Sequence, residues 1–133
     1  MSEYHICKVD YNDQESLVAA LEELGYKPQV HKEAQQLEGF QGDKRDQRAH
    51  VVVPRSQVGG ASNDVGYERQ KDGKYICHVS GYDKTNWSRK EKQIKQSYTK
   101  NRVIKYARRK GWSVRSQSKT QDGLVKVKIG IIG

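Results

Sequence analysis

The chain has 133 residues, of which 34% are hydrophobic and 31% are charged, and its formal net charge is +9. This length suits one hydrophobic core but hardly two, so a single domain over residues 1–133 is predicted. No apolar run approaches the ~20 residues that cross a bilayer, and the N-terminal MSEYHICKVD lacks the apolar centre of a signal peptide. These features favour a soluble, intracellular protein over a membrane or secreted one.

Residues 5–9 alternate in polarity as a strand does, and a helix is predicted to follow them. Asn12 and Glu15 stand at the spacing of a capping box, which predicts a helix over residues 13–24 with Asn12 as its N-cap. Apolar residues recur at helical spacing within it, and Gly25 follows at the position where a left-handed backbone ends many helices.

The next segment predicts two strands and an irregular connection. Residues 26–31 are predicted to form an edge strand, because Pro28 cannot donate a ladder hydrogen bond. A loop is expected over residues 32–36. Residues 39–42, GFQG, predict a tight connection whose phenylalanine ring packs on the core. Residues 48–54 predict a strand, because they include the run Val51, Val52 and Val53.

A glycine-containing segment separates that strand from a predicted hairpin. Residues 56–63, SQVGGASN, predict a mobile loop. Residues 64–70 and 74–80 then flank an Asp-Gly pair, which accepts positive φ at a hairpin tip. A second Asp-Gly pair, at residues 122–123, predicts another hairpin at the C-terminus.

Between the hairpins, Ser88 and Glu91 form a second capping-box pattern, which predicts a helix that has Ser88 as its N-cap, runs to about Lys110 and ends at Gly111. The apolar side of this helix is predicted to cover the sheet and contains Ile94, Ser97, Val103, Ile104 and Ala107. The element order β-α-β-β-β-β-α-β-β then predicts a two-layer α+β domain, with a largely antiparallel sheet and both helices packed on one face.

Charge is unevenly distributed along the chain. Residues 1–66 carry seven Lys or Arg and eleven Asp or Glu, net −4, whereas residues 67–133 carry eighteen and five, net +13. Residues 89–110 alone hold ten Lys or Arg against the single Glu91. A surface of one sign concentrates phosphate-bearing partners, and phosphate contacts release condensed counterions. Nucleic acid, a ribosomal RNA surface, an anionic membrane or an acidic protein would all fit; a solvated helix without a ligand is the alternative.

One stripe of the second helix combines cations with tyrosine rings. Spacings of four, four and three align Tyr98, Arg102, Tyr106 and Arg109, and Lys92, Lys95 and Lys110 lie on or beside them. Cations suit phosphates and rings suit unpaired bases. The alternative is that Tyr98 and Tyr106 close the rim of the core while the cations are merely solvated.

Nothing in the sequence predicts a metal or cofactor. Cys7 and Cys77 are too few for a disulfide framework and are expected to be reduced core thiols. Strand alternation lets at most three groups converge from these cysteines, His5 and His78, whereas structural zinc needs four ligands. The glycines of residues 39–42 lack a GKS/GKT or GxGxxG context for phosphate binding.

Five segments carry a resemblance to a known family: LEELGY (21–26), GFQG (39–42), DVGYERQKDGKY (64–75), SYTKNRVIKYARRKGW (97–112) and QDGLVKV (121–127). They resemble an uncharacterised family of small proteins from cyanobacteria and plastid genomes, where it is known as a hypothetical chloroplast reading frame. The resemblance covers most of the chain, implies a cytoplasmic or plastid-stromal protein, and brings no established activity.

These observations together predict a non-enzymatic module that binds RNA or a ribonucleoprotein surface, with no membrane partner. The predicted site comprises Lys92, Lys95, Tyr98, Arg102, Tyr106, Arg109 and Lys110. The alternative is an adaptor that docks its basic helix on an acidic protein, with Tyr and Arg as interface anchors. An enzyme is not expected, because Asp64, Asp83 and His78 form no recognisable acid–base constellation.

Overall fold

The computed structural model describes residues 3–119 and 125–131. In chain order its elements are β1 (Tyr4–Lys8), α1 (Gln14–Glu23), β2 (Gln29–Glu38), β3 (Lys44–Val53), α2 (Arg55–Val58), β4 (Val65–Arg69), β5 (Tyr75–Ser80), α3 (Lys84–Arg109), β6 (Trp112–Lys119) and β7 (Val125–Ile131). Strands β1 to β5 form one sheet in the order β1-β5-β4-β3-β2, in which every neighbouring pair is antiparallel. The predicted α+β class with an antiparallel sheet is confirmed.

Both long helices pack on the same face of this sheet. α1 connects β1 at one edge to β2 at the other, so it crosses the sheet, and it lies against α3. The main core is formed by Leu17, Leu21, Trp87 and Ile94 from the helices and by Val51, Val53, Val65, Tyr67, Tyr75, Cys77 and Val79 from the strands. A smaller cluster of Leu37, Ala49 and Val52 lies apart from it. Burial of this apolar surface is the main stabilising contribution to the fold.

The start of α1 differs by one residue from the prediction. The N-cap is Asp13 and not Asn12: the Asp13 carboxylate accepts a hydrogen bond from the Ser16 backbone N–H at 3.0 Å. Asn12 instead accepts a hydrogen bond from the hydroxyl of Tyr98. The prediction failed because Asn and Asp are both good N-caps. The Asn12 side chain is engaged by Tyr98 of α3, a contact that the local sequence does not reveal.

Strand β2 is longer than predicted. The loop expected over residues 32–36 is wrong, because β2 continues through them to Glu38 and pairs with β3, with a register shift between Val30 and Gln35. Phe40 is also not packed on the core as expected, since it is 39% exposed. The predicted loop over residues 56–63 begins with the short helix α2 and ends in the buried Ser62 and Asn63.

The hairpin prediction holds where the structure describes it. β4 pairs antiparallel with β5, and Gly73 at the tip has φ +86°. β6 and β7 also form an antiparallel pair, as a separate two-stranded sheet, although residues 122–123 lie outside the described residues. α3 contacts both of these strands in addition to α1.

α3 begins five residues earlier than predicted, at Lys84, with Asp83 and not Ser88 as its N-cap. Ser88 is therefore inside the helix, where its hydroxyl donates to the Lys84 carbonyl at 2.8 Å. The buried residues Ile94, Ser97, Ile104 and Ala107 confirm the predicted apolar side, and Val103 is half-buried. Gly111 has φ +73° and follows the last turn as expected.

Candidate nucleic-acid interface

Six of the seven predicted interface residues lie on one exposed side of α3. We call them the exposed stripe: Lys92, Lys95, Arg102, Tyr106, Arg109 and Lys110, each of which is exposed to solvent. At ~100° per residue they fall within an arc of about 100°, and at ~1.5 Å per residue they extend over about 27 Å. A straight helix therefore presents them together to a single extended partner.

Tyr98 does not belong to this stripe, and its predicted role in base stacking is wrong. Its side chain is only 6% exposed. Its ring lies against Tyr11 with centroids 4.5 Å apart, and its hydroxyl accepts hydrogen bonds from the backbone N–H groups of Asn12 and Asp13 at 2.9 and 3.1 Å. Tyr98 thus joins α3 to the start of α1 and closes the core.

Tyr106 has the opposite environment. It is 53% exposed, and the ammonium of Lys110 lies 5.7 Å from the centroid of its ring. A cation over a ring face is a weak attraction at exposed sites, of about 0.5–1 kcal/mol. Tyr106 is the aromatic group that the exposed stripe can offer to an unpaired base.

The cations of the exposed stripe have weak partners or none within the described part of the chain. Lys95 and Asp10 are 3.9 Å apart, with exposed fractions of 64% and 88%. Arg102 and Asp13 are also 3.9 Å apart, which exceeds hydrogen-bond distance. No carboxylate of residues 3–119 pairs with the other three cations, Lys92, Arg109 and Lys110.

Two lysines of α3 are instead paired with α1. Lys100 donates to Glu23 at 2.6 Å, and Lys105 donates to Asp13 at 2.7 Å. Burial alone would raise the pKa of Asp13, but hydrogen bonds from Lys105 and Ser16 outweigh it and lower the pKa from 3.8 to about 2. The pKa of Glu23 is likewise lowered: burial opposes the shift, and hydrogen bonds led by Lys100 cause it. Both ammonium groups are therefore used inside the fold.

The earlier start of α3 adds a residue that the sequence analysis missed. Lys84 is exposed, and at ~100° per residue it falls within the same arc as the exposed stripe. It was missed because Ser88 was predicted to be the N-cap of the helix. Arg89, Lys90 and Arg108 are exposed as well, but the same rotation places them on other sides of the helix.

Glu91 was also misassigned by the sequence analysis, as part of a capping box at the helix start. Its carboxylate accepts hydrogen bonds from the hydroxyls of Tyr11 and Tyr67 at 2.6 and 2.9 Å. Burial raises the pKa of Glu91, and these hydrogen bonds oppose the shift. Its position four residues after the buried Trp87 and three before the buried Ile94 is the signal that places it on the inner side of α3.

The three residues considered for acid–base catalysis contact other groups of the fold and not each other. Asp64 accepts from the backbone N–H groups of Glu38 and Arg55, and Asp83 accepts from Ser80 and from the Asn63 N–H. His78 pairs with Glu68 at 2.9 Å. The two buried aspartates therefore organise the connections at the start of β4 and of α3.

Two further properties concern residues 3–119 and 125–131 together. No helix among them is both long and apolar enough to cross a membrane. No three His, Cys, Asp or Glu side chains of these residues come together in a way that could hold a metal ion. Cys7 and Cys77 lie opposite each other on β1 and β5 as free thiols.

The fold and the exposed stripe define an α+β domain with a basic helical surface. Residues 20–128 match the family described as Protein of unknown function (DUF1257). Because the match covers most of the chain, the protein belongs to this family, and the predicted membership of an uncharacterised family is confirmed. Neither the curated proteins nor the solved structures contain a match to the chain.

Proposed function

We propose that this protein is a non-enzymatic module that binds RNA or a ribonucleoprotein surface through the exposed stripe. Lys and Arg contacts with phosphates provide affinity that does not depend on sequence. The exposed ring of Tyr106 provides a surface on which an unpaired base stacks. Binding does not change the RNA chemically, so RNA recovered after incubation with the protein should keep its full length.

One observation carries this proposal. The five cations of the exposed stripe are solvent-exposed on one side of α3, and none is held at hydrogen-bond distance by a carboxylate of the described residues. Lys100 and Lys105 on the same helix are so held. An ammonium group that is already paired with a carboxylate is a poor partner for a phosphate, whereas an exposed cation can neutralise a phosphate and release the counterions condensed on it.

A salt titration tests the proposal directly. Single-stranded RNA with a fluorescent label is titrated with the protein between 50 and 200 mM salt, and the anisotropy reports Kd. Five phosphate contacts at about 0.7 each predict a slope of log K against log salt of about −3.5, which is an affinity loss of about 100-fold over this range. Salt-insensitive binding, or no binding, would contradict the proposal.

An acidic protein is the second candidate partner. Tyr106, Arg102 and Arg109 are of the residue types that dominate protein interfaces, and all three are exposed. A pull-down with nuclease treatment separates the two candidates: RNA binding predicts that the partner is lost with the RNA, whereas an adaptor keeps a protein partner after treatment.

The compartment is part of the proposal as well. The family resemblance supports a protein of the cyanobacterial cytoplasm or the plastid stroma. Cell fractionation with an antibody to the protein tests this, and recovery with the membrane or secreted fraction would contradict it.

A further inference from the structure

Strand β1 is one edge of the five-stranded sheet, and it pairs with β5 in an uninterrupted register from Tyr4 to Lys8. Just before the strand, the Gly81 N–H donates to the Glu3 carbonyl at 2.8 Å, so these two residues form a hydrogen-bonded pair. Such pairs alternate along an antiparallel ladder, so the backbone groups of Tyr4, Ile6 and Lys8 face away from β5. No other backbone group of residues 3–119 hydrogen-bonds to them.

We propose that β1 pairs with β1 of a second copy of this chain, in an antiparallel, twofold-symmetric dimer centred on Ile6. In this register Ile6 lies opposite Ile6 of the second copy, and Tyr4 lies opposite its Lys8. Each of the three residues then exchanges both of its outward hydrogen bonds, whereas a register shifted by two residues would leave some of these groups unpaired.

The side chains of β1 also suit pairing with themselves. Cys7 packs against the main core under the helices, and because side chains alternate along a strand, Ile6 lies on the other face of the sheet. Ile6 is 64% exposed, more than any other large hydrophobic residue of the described part of the chain. In the dimer two such side chains lie directly opposite each other and shield one another from water. Lys8 lies opposite the uncharged Tyr4, so the register opposes no like charges.

The other edge of the sheet, β2, is protected against such pairing. Its register with β3 shifts after Val30 and again after Gln36, and Pro28 directly precedes the strand. β2 also carries the charged residues Lys32 and Glu33 near its middle. Irregular register, proline and charge are the usual devices by which proteins prevent pairing between sheet edges. β1 has an isoleucine at its centre, no register shift and no proline, so it is the edge that remains open to a partner.

Twofold symmetry identifies a second copy as the occupant. The same residues form both sides of the interface, and the pairing closes at two copies without leaving β1 of either copy unpaired. The axis is perpendicular to the joined sheet, so α1 and α3 of both copies lie on the same face of it. Dimerisation does not depend on RNA binding.

Sedimentation equilibrium of the natural protein is the first test. β1 has only five residues, and small interfaces are weak, so the measurement covers about 5 to 200 μM protein. The net charge of +9 makes two copies repel each other, and about 0.15 M salt screens this repulsion to a length of about 8 Å. The mean mass should rise over this range from that of one chain towards that of two. A protein that stays monomeric would overturn the inference and leave the proposed function intact, since one copy carries a complete exposed stripe.

A matched pair of variants locates the interface. Ile6→Lys places two ammonium groups directly opposite each other and removes the apolar contact, so the dimer Kd should rise at least about tenfold. Val30→Lys makes the same change on the edge strand β2, at a side chain that is 46% exposed, and should change Kd less than about twofold. Circular dichroism should show that both variants fold, because both side chains are exposed. Equal Kd values for the two variants would overturn the inference.

Disulfide cross-linking tests the register, with Cys7→Ala as the background. In the dimer, Ile6→Cys places two thiols on residues whose Cα atoms are about 5.5 Å apart, within the range of about 4.4–6.8 Å that a disulfide needs. Lys8→Cys places its two thiols four residues apart along the strands, at about 13 Å. Under mild oxidation Ile6→Cys should form a covalent dimer on a non-reducing gel at least tenfold faster than Lys8→Cys does. Equal rates for the two variants would overturn the inference.

Discussion

The cations of α3 fall into two groups with different environments. Lys100 and Lys105 point towards α1, are about one-fifth exposed, and donate to carboxylates at 2.6 and 2.7 Å. The cations of the exposed stripe face solvent, and their shortest ion pairs measure 3.9 Å. A count of ten basic residues therefore overstates the binding surface, because part of this charge holds α1 and α3 together. Orientation, and not residue type, separates the two roles.

The contrast between inward and outward sides of α3 is sharpest for its two tyrosines. Tyr98→Ala should lower the free energy of unfolding by about 3–5 kcal/mol, since it opens the core. Tyr106→Ala should cost less stability than Tyr98→Ala, because its side chain is 53% exposed, but it should weaken RNA binding by about 1–3 kcal/mol. Urea unfolding and RNA titration of both variants measure the two effects. Equal destabilisation by the two substitutions would break the distinction.

Charge reversal on the exposed stripe should have the next largest effect. Arg102→Glu with Arg109→Glu removes two phosphate contacts and adds repulsion, so RNA affinity at 50 mM salt should fall about 100-fold or more. Arg89→Glu with Lys90→Glu changes the net charge equally but lies off the stripe. If this control pair loses as much affinity, total charge and not the stripe governs binding.

On the inward side, Asp13 both caps α1 and pairs with Lys105. Asp13→Ala should cost about 1 kcal/mol through the lost cap, whereas Asp13→Asn keeps a cap and loses only the charge. The pKa of Asp13 is lowered to about 2, so its charged interactions stabilise the fold above pH 3.8 and are lost as pH falls towards 2. Denaturant unfolding across pH 2–7 measures the difference in free energy of unfolding between the natural protein and Asp13→Asn. This difference should shrink as the pH falls from 3.8 towards 2. A difference that stays constant would contradict the ion pair.

The smallest expected effect concerns Glu91, the inward-facing carboxylate. Burial raises its pKa, so the folded state holds the proton more tightly than the unfolded state does. The contribution of Glu91 to the free energy of unfolding is most favourable below the unfolded pKa of 4.5, and it declines as the pH rises through the folded pKa. Stability of the natural protein relative to Glu91→Gln should therefore decrease between pH 4 and pH 8. An increase over this range would show that the tyrosine hydrogen bonds outweigh burial.

Local signals predicted much of the fold. The Asp-Gly tip between β4 and β5 predicted its hairpin because positive φ at Gly73 is a property of a few residues. The polar run of residues 32–36 was assigned to a loop, because an exposed strand has no apolar face to mark it. Glu91 was misassigned because of a similar ambiguity. The three-residue spacing between Ser and Glu in a capping box also occurs between a Ser and a Glu in the middle of a helix.

The candidate site was only partly predictable. Helical spacing placed most of the exposed stripe, but Tyr98 lies at the border between two faces of α3. Its burial depends on hydrogen bonds from the backbone N–H groups of Asn12 and Asp13, which are more than eighty residues away in the chain. A cavity of about 260 Å³ between Cys7 of β1 and Lys92 of α3 depends in the same way on β1 approaching α3, which no local pattern specifies.

The most direct test compares two double variants with equal charge change. Arg102→Gln with Arg109→Gln should leave the free energy of unfolding within about 0.5 kcal/mol of the natural value and reduce the magnitude of the salt slope by about 1.4. Lys100→Gln with Lys105→Gln should lower stability and leave the slope unchanged. Equal slopes for the two double variants would contradict the account, because the two groups of cations would then be equivalent in binding.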